Sequence, residues 1–208
     1  MSSELFAIVI ACAVVFAPLL ILDWLTRKGD GCFHGSNRIL MGNGTMKACK
    51  DIVKGDSFKM GDGRNARVVC VVKILKTHTN DIRLVKFPCG LVITEYHPVC
   101  IKGAWAFPKN ISSLKKYTED FDAVYSFLVE MEDGSNVDCG FIVEGIECAP
   151  LGHDIKGDVI EHAFFGNKTI VKDSLLRLNS EEFSNGLVHV TKLKRDFGGM
   201  VVDFLYDS

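Results

Sequence analysis

The chain has eight cysteines in 208 residues but no Cys-x-x-Cys pair and no tight zinc-site spacing. That absence removes a zinc-finger type of framework as the organising element. The spacing does not force a disulfide framework either, and most of these thiols are expected to be small core residues. Net charge is nearly absent, at −2, and no basic stripe stands out, so a nucleic-acid partner is not indicated. There are no heptads, no glycine-rich phosphate loop after a strand and no low-complexity tract. What remains is a chain that is 48% hydrophobic, enough for a substantial core. Its length allows one compact domain plus an appendage.

Residues 5–22 form an uncharged, almost wholly apolar run, near the shortest length that spans a bilayer as a helix. Asp23 closes it, Trp24 is placed as an interface anchor, and Arg27 and Lys28 follow. Pro18 is tolerated in a membrane span. A cleaved signal peptide fits less well, because Glu4 stands where a positive flank belongs. The expectation is an N-terminal apolar helix acting as a single-pass membrane anchor, within a leader and linker of residues 1–30. The positive C-terminal flank favours a cytoplasmic body made of residues 31–208.

After the polar linker the pattern turns to strands. Gly42-Asn43-Gly44 is a hairpin signal, and Lys54-Gly55-Asp56 and Gly61-Asp62-Gly63 are turns. Residues 66–75, 82–87, 91–94, 99–107, 124–131 and 141–146 read as strands. Residues 169–178 follow a Gly-Asn turn and are expected to become helical towards their end. Residues 192–208 fit either an edge strand or a short helix. Short strands between frequent turns predict an all-β fold with few helices.

Two stretches carry chemistry. The first is Gly31-Cys32-Phe33-His34-Gly35 and the second Gly90-Leu91-Val92-Ile93-Thr94-Glu95-Tyr96-His97-Pro98. A cysteine can attack the carbonyl on its own N-terminal side, giving a thioester, and the intramolecular geometry supplies much of the rate. The amide still needs weakening. A histidine can protonate the departing amine, and a threonine hydroxyl or backbone N–H can hold the amide. Cys32 behind the small Gly31, with Thr94 and His97 presented from one turn, meets these needs. Taken singly, each is a weak signal: a lone cysteine is usually core, and His97 before Pro98 would serve as a turn cap.

The joint order of these stretches resembles the Hint superfamily, which contains inteins and hedgehog autoprocessing domains. The resemblance is closer to its Vint branch. It is carried also by Cys70-Val71-Val72-Lys73, Gly103-Ala104-Trp105-Ala106-Phe107-Pro108, Val124-Tyr125-Ser126-Phe127, Gly145-Ile146-Glu147-Cys148-Ala149-Pro150-Leu151-Gly152-His153 and His162-Ala163-Phe164-Phe165-Gly166. It implies an all-β, pseudo-two-fold horseshoe of short strands. It implies Cys32 as nucleophile, Thr94 and His97 as activators, and Gly31-Cys32 as the scissile bond. The substrate is then the chain's own N-terminal segment, with no cofactor and no metal.

Two departures bear on the outcome. Splicing inteins end in His-Asn, and this chain ends Asp203-Phe204-Leu205-Tyr206-Asp207-Ser208, so splicing is disfavoured. Hedgehog-type domains carry an aspartate on the long middle strand; Val68-Val69-Cys70-Val71-Val72-Lys73-Ile74 has no acid, so sterol transfer is not supported. Water or a small nucleophile is the expected acceptor. Cys148 and His153, with His162 nearby, form a second cluster, for which an auxiliary acid–base or metal role competes with a plain strand and turn. Cys70 and Lys73 should face opposite sides of their strand. Asn110-Ile111-Ser112 and Asn167-Lys168-Thr169 are sequons that matter if the body is luminal. Two other functions compete: a degenerate Hint domain acting as a membrane-tethered binding module, and a papain-like thiol hydrolase, which the β-rich context of Cys32 disfavours.

Overall fold

The computed structural model describes residues 31–78 and 81–206. The expected apolar helix lies outside these residues. Among the described residues, no helix is long and apolar enough to cross a membrane.

The fold is mostly β, as expected, and is built on two sheets. In the larger one the order is Lys115–Lys116, Leu84–Lys86, Val92–Thr94, Phe33–His34, Ala123–Met131, Asn65–Leu75 and Leu187–Val190, with Ser57–Lys59 also paired to Asn65–Leu75. The smaller one runs Met46–Ala48, Arg38–Leu40, Phe141–Val143, Ile146–Cys148, Val99–Ile101 and Ala104–Ala106. The Gly42-Asn43-Gly44 hairpin forms where its dipeptides demand it, with Gly44 at φ 83°.

Phe33–His34 is the hinge of this arrangement. The strand is paired on one side with Ala123–Met131 and on the other with Val92–Thr94. Because strand side chains alternate, Cys32 and Phe33 enter different cores. Phe33 joins Phe58, Phe127 and Phe141 in one apolar cluster between the sheets. Cys32 joins Cys70, Val72, Ile74, Val124 and Leu128 in the other. Edge and offset ring contacts at 4.9–6.0 Å tie the four phenylalanines together. Each such pair is worth about 0.5–1.5 kcal/mol beyond its buried area. The long strands Asn65–Leu75 and Ala123–Met131 feed both clusters, and their register shifts between Leu128 and Val129.

Residues 169–178 are not a strand that turns helical. The whole stretch is the helix Lys168–Leu178, which we call α1. The β-branched Thr169, Ile170 and Val171 suggested strand, but Asn167 caps the helix by accepting from Ile170 N, and Val171, Ser174 and Leu175 make one buried face. A second short helix, α2, spans Ser180–Asn185 and ends at Gly186 in the left-handed region, φ 89°. The strand that follows, Leu187–Val190, pairs in parallel with Val71–Ile74. In the C-terminal stretch left between edge strand and helix by sequence, Lys192–Arg195 and Val201–Leu205 form a hairpin. Phe164, Phe165, Leu175 and Phe204 pack these late elements onto the Cys32 cluster.

Candidate active site

Thr94 is carried to Cys32 by backbone pairing before its side chain acts. Its N–H donates to the Cys32 carbonyl at 3.0 Å, and its Oγ1 accepts from the Cys32 N–H at 3.0 Å. The register is pinned by Asn37, which is buried. Its Nδ2 donates to the Val92 carbonyl at 2.6 Å and its Oδ1 accepts from Val92 N at 2.9 Å. One side chain thus continues the sheet ladder past the turn that follows His34, because an amide presents the same donor and acceptor as a peptide.

His97 arrives on the same turn, closed by its N–H donating to the Thr94 carbonyl at 3.2 Å. Its Nε2 lies 2.9 Å from the Ala149 carbonyl. A carbonyl accepts, so Nε2 carries the proton and Nδ1 presents a lone pair. Nδ1 faces Gly31: a Cβ placed on that glycine would lie 3.4 Å from it. Burial pushes the His97 pKa down to about 3, assisted by His153 and opposed by the Ala149 and Gly31 carbonyls. The imidazole is therefore neutral at physiological pH.

Ser126, passed over as a site residue in the sequence, completes the site. Its hydroxyl donates to the Gly31 carbonyl and lies 3.5 Å from Cys32 Sγ. It sits on Ala123–Met131 with the same parity as Val124, whose side chain enters the Cys32 cluster. A lone small polar side chain, Ser126, inside the otherwise apolar and aromatic run Ala123-Val124-Tyr125-Ser126-Phe127-Leu128-Val129 was the available signal. Cys32, Thr94, His97 and Ser126 are all buried, none more than 3% exposed. The peptide between Gly31 and Cys32 is thus held at its carbonyl by Ser126 and at its N–H by Thr94.

Cys148 and His153 are placed differently from each other. The Cys148 thiol is fully buried in the smaller sheet, and burial pushes its pKa well up. His153 lines a cavity of about 40 Å³ together with Gly31, His97, Glu161 and His162. Its Nδ1 accepts from Ile155 N at 2.9 Å, and burial lowers its pKa to about 4. The two are not among the groups close enough to share a metal ion; of the described residues, those are Asp62, Asp138 and Cys139. There Arg64 already donates to both carboxylates. Cys70 is buried, with its pKa pushed up to about 12 by burial, which leaves it an inert thiol.

A mostly β fold with a cysteine, a Thr-x-x-His turn and a strand hydroxyl around one peptide bond defines a class of domains built around a junction in their own chain. Residues 31–203 match the family model of Vint, a Hint-domain, and the chain belongs to that family. No curated protein matches the chain. Among solved structures it is similar to a DnaB intein from Synechocystis sp. PCC 6803, at 15% identity and a TM-score of 0.41, covering 58% of this chain and 99% of that one. It is similar also to the gp41-1 intein, at 18% identity and a TM-score of 0.38, covering 58% of this chain and 99% of that one. A third is the MchDnaB-1 intein, at 14% identity and a TM-score of 0.40, covering 56% of this chain and 98% of that one. Membership of the Hint family implies autoprocessing in general.

Proposed function

We propose that the domain cuts its own chain between Gly31 and Cys32 by an N-to-S acyl shift. The observation that carries this is the grip on that one peptide, with Ser126 on its carbonyl, Thr94 on its N–H and the Cys32 thiol beside Ser126. Sγ attacks the Gly31 carbonyl carbon while the Ser126 hydroxyl holds the oxygen on which charge develops. The C–N bond then breaks, leaving Gly31 as a thioester on Cys32. The shift consumes no net proton, since the thiol releases one and the departing amine takes one. His97, neutral and with Nδ1 bare towards Gly31, is suited to carry it. Water or a small nucleophile then attacks the thioester, freeing the segment that ends at Gly31. Cys32 is used once per chain.

The test is mass spectrometry of the purified chain over time, with and without dithiothreitol. The expected product is a body beginning at Cys32, formed faster with thiol, and absent from Cys32→Ala. An intact wild-type chain under thiol would sink this function and favour a domain that binds without cutting. A body starting at residue 32 from Cys32→Ala would expose a contaminating protease.

From the uncharged run at residues 5–22 we infer also that the upstream segment holds the uncleaved chain to a membrane, with the body cytoplasmic. Deleting residues 1–25 should move the protein from the membrane fraction to the soluble fraction. Full-length chain that keeps its N-terminus and stays soluble would refute the anchor.

A further inference from the structure

Cys32 separates two cavities of different character. On the Gly31 and His97 side lies the small one already described. On the other side Cys32 and Thr94 form part of the wall of a cavity of about 570 Å³. That size falls in the range that holds a small organic molecule, roughly 300–1,000 Å³, and far exceeds what a hydrolytic water needs.

The cavity lies between residues of the larger sheet and its flanking loop and those of the C-terminal hairpin. Its apolar surface comes from Ile74, Ile82, Val124, Leu193 and Leu205. Its charged groups are four cations, Arg83, Lys192, Lys194 and Arg195, against two carboxylates, Asp81 and Glu95. Arg83 pairs with Asp81 at 2.5 Å and also faces Glu95. One of the two acidic charges, that of Asp81, is therefore met from within the wall. The strand Lys192–Arg195 lines the cavity with all four of its residues. Lys192 and Lys194 are exposed and take part in no ion pair among the described residues. Among the residues that line the cavity, cations thus outnumber carboxylates by four to two, and the exposed Lys192 and Lys194 stand on the hairpin strand.

We propose that this cavity binds the acyl acceptor, and that the acceptor is a small amphipathic nucleophile bearing an anionic group. This rests on the acyl shift proposed above, because the thioester formed on Cys32 is what the bound acceptor attacks. In the transfer, the acceptor's sulfur, nitrogen or oxygen bonds to the Gly31 carbonyl carbon. The bond from that carbon to Cys32 Sγ breaks, and the acceptor's proton ends on the released thiolate. The apolar wall takes the acceptor's body, and Lys192 and Lys194 draw in its charge.

The test uses the uncleaved full chain and three thiols of similar size: 2-mercaptoethanesulfonate, 2-mercaptoethanol and 2-aminoethanethiol. Release of the body beginning at Cys32 is followed at matched thiolate concentrations. The sulfonate should react at least about ten-fold faster than the aminothiol at low concentration, and its rate should saturate. Its advantage should shrink with added salt. The double variant Lys192→Glu, Lys194→Glu should reverse the order of the two, and Lys192→Gln, Lys194→Gln should fall between. Both replace exposed side chains, so the fold should persist, as a wild-type far-UV spectrum would verify. Rates that stay linear in thiolate and alike for all three thiols would overturn the acceptor site while leaving the acyl shift standing. Absence of cleavage with every thiol would overturn both.

Discussion

Phe33 and His97 pack ring against ring, with centroids 4.3 Å apart and planes tilted by 55°. The residue that follows the nucleophile thus sets the orientation of the proposed proton carrier. Phe33 is itself held by Phe127 and Phe141. The aromatic core therefore fixes how the imidazole is aimed, and through it where Nδ1 points.

Replacing Phe33 by leucine should keep most of the buried volume and lose this contact. We expect cleavage to slow about ten-fold, since small misplacements at a reacting centre cost up to about 10²-fold. Stability should fall by about 1–4 kcal/mol, as the ring contacts of Phe33 are lost while most of its volume is kept. The check is the single-turnover rate set beside urea unfolding; an unchanged rate would show that the ring contact does not aim His97.

The polar groups around the scissile peptide should rank by what each does there. His97→Ala should slow cleavage by about 10²–10⁴-fold, the usual worth of general acid–base help. Ser126→Ala removes the donor to the Gly31 carbonyl and should cost about 10²–10³-fold. Thr94→Ala should cost less, because its backbone N–H still holds the Cys32 carbonyl. Rates of thiol-induced release measure all three, and a full-rate Ser126→Ala would remove Ser126 from the mechanism.

Asn37→Ala should act at a distance. It leaves Val92 N–H and C=O buried without the partners they have now. Each orphaned group costs about 1–3 kcal/mol. We expect a loss of about 2–4 kcal/mol in urea unfolding, together with slower cleavage as Thr94 loses its register. Aspartate at 37 should rescue less well than glutamine, since it offers no donor to the Val92 carbonyl.

Stability should depend on pH through His97 and His153. Burial lowers their folded pKa values from 6.5 to about 3 and about 4. Between 6.5 and these values the unfolded chain binds protons that the folded chain refuses. Stability contributed by keeping them neutral is fully present above pH 6.5 and is lost as pH falls. Each group adds a slope of at most about 1.4 kcal/mol per pH unit. Urea unfolding from pH 7 to 4.5 should show this, and His97→Gln should remove about one proton's share. A slope that is the same in the variant would assign the acid sensitivity elsewhere.

The nearness of Cys32, Thr94 and His97 was legible in the sequence through the joint order of their two stretches, which resembles the Hint superfamily, and not from any of the three residues alone. The hairpin at Gly42-Asn43-Gly44 was legible from its turn dipeptides. Ser126 was not singled out, since one serine in a strand has no meaning until its parity relative to Cys32 is known, and parity depends on pairing with Phe33–His34. The helix α1 was half legible: Leu175, Arg177 and Leu178 suit a helix, while Thr169-Ile170-Val171 argued for a strand, and the cap at Asn167 outweighed them. The C-terminal stretch was left open between an edge strand and a short helix although Gly198-Gly199 marks the tip of a hairpin, because its two strands are short and alternate weakly. His153 lies 56 residues beyond His97 in sequence, and nothing local indicated that the two would line one cavity.

The order in which these groups leave the ribosome carries a consequence. Cys32 emerges early, but Thr94, Ser126 and the Ala149 carbonyl that sets the His97 tautomer follow one after another. The strand Leu187–Val190, which docks against Val71–Ile74 at the edge of the larger sheet, is translated later still. A nascent chain halted before residue 149 lacks the acceptor for Nε2–H of His97. Under the proposed acyl shift, the Gly31-Cys32 bond would stay intact through most of synthesis and become labile only once the body has closed around it, so that the junction opens after translation and folding are complete.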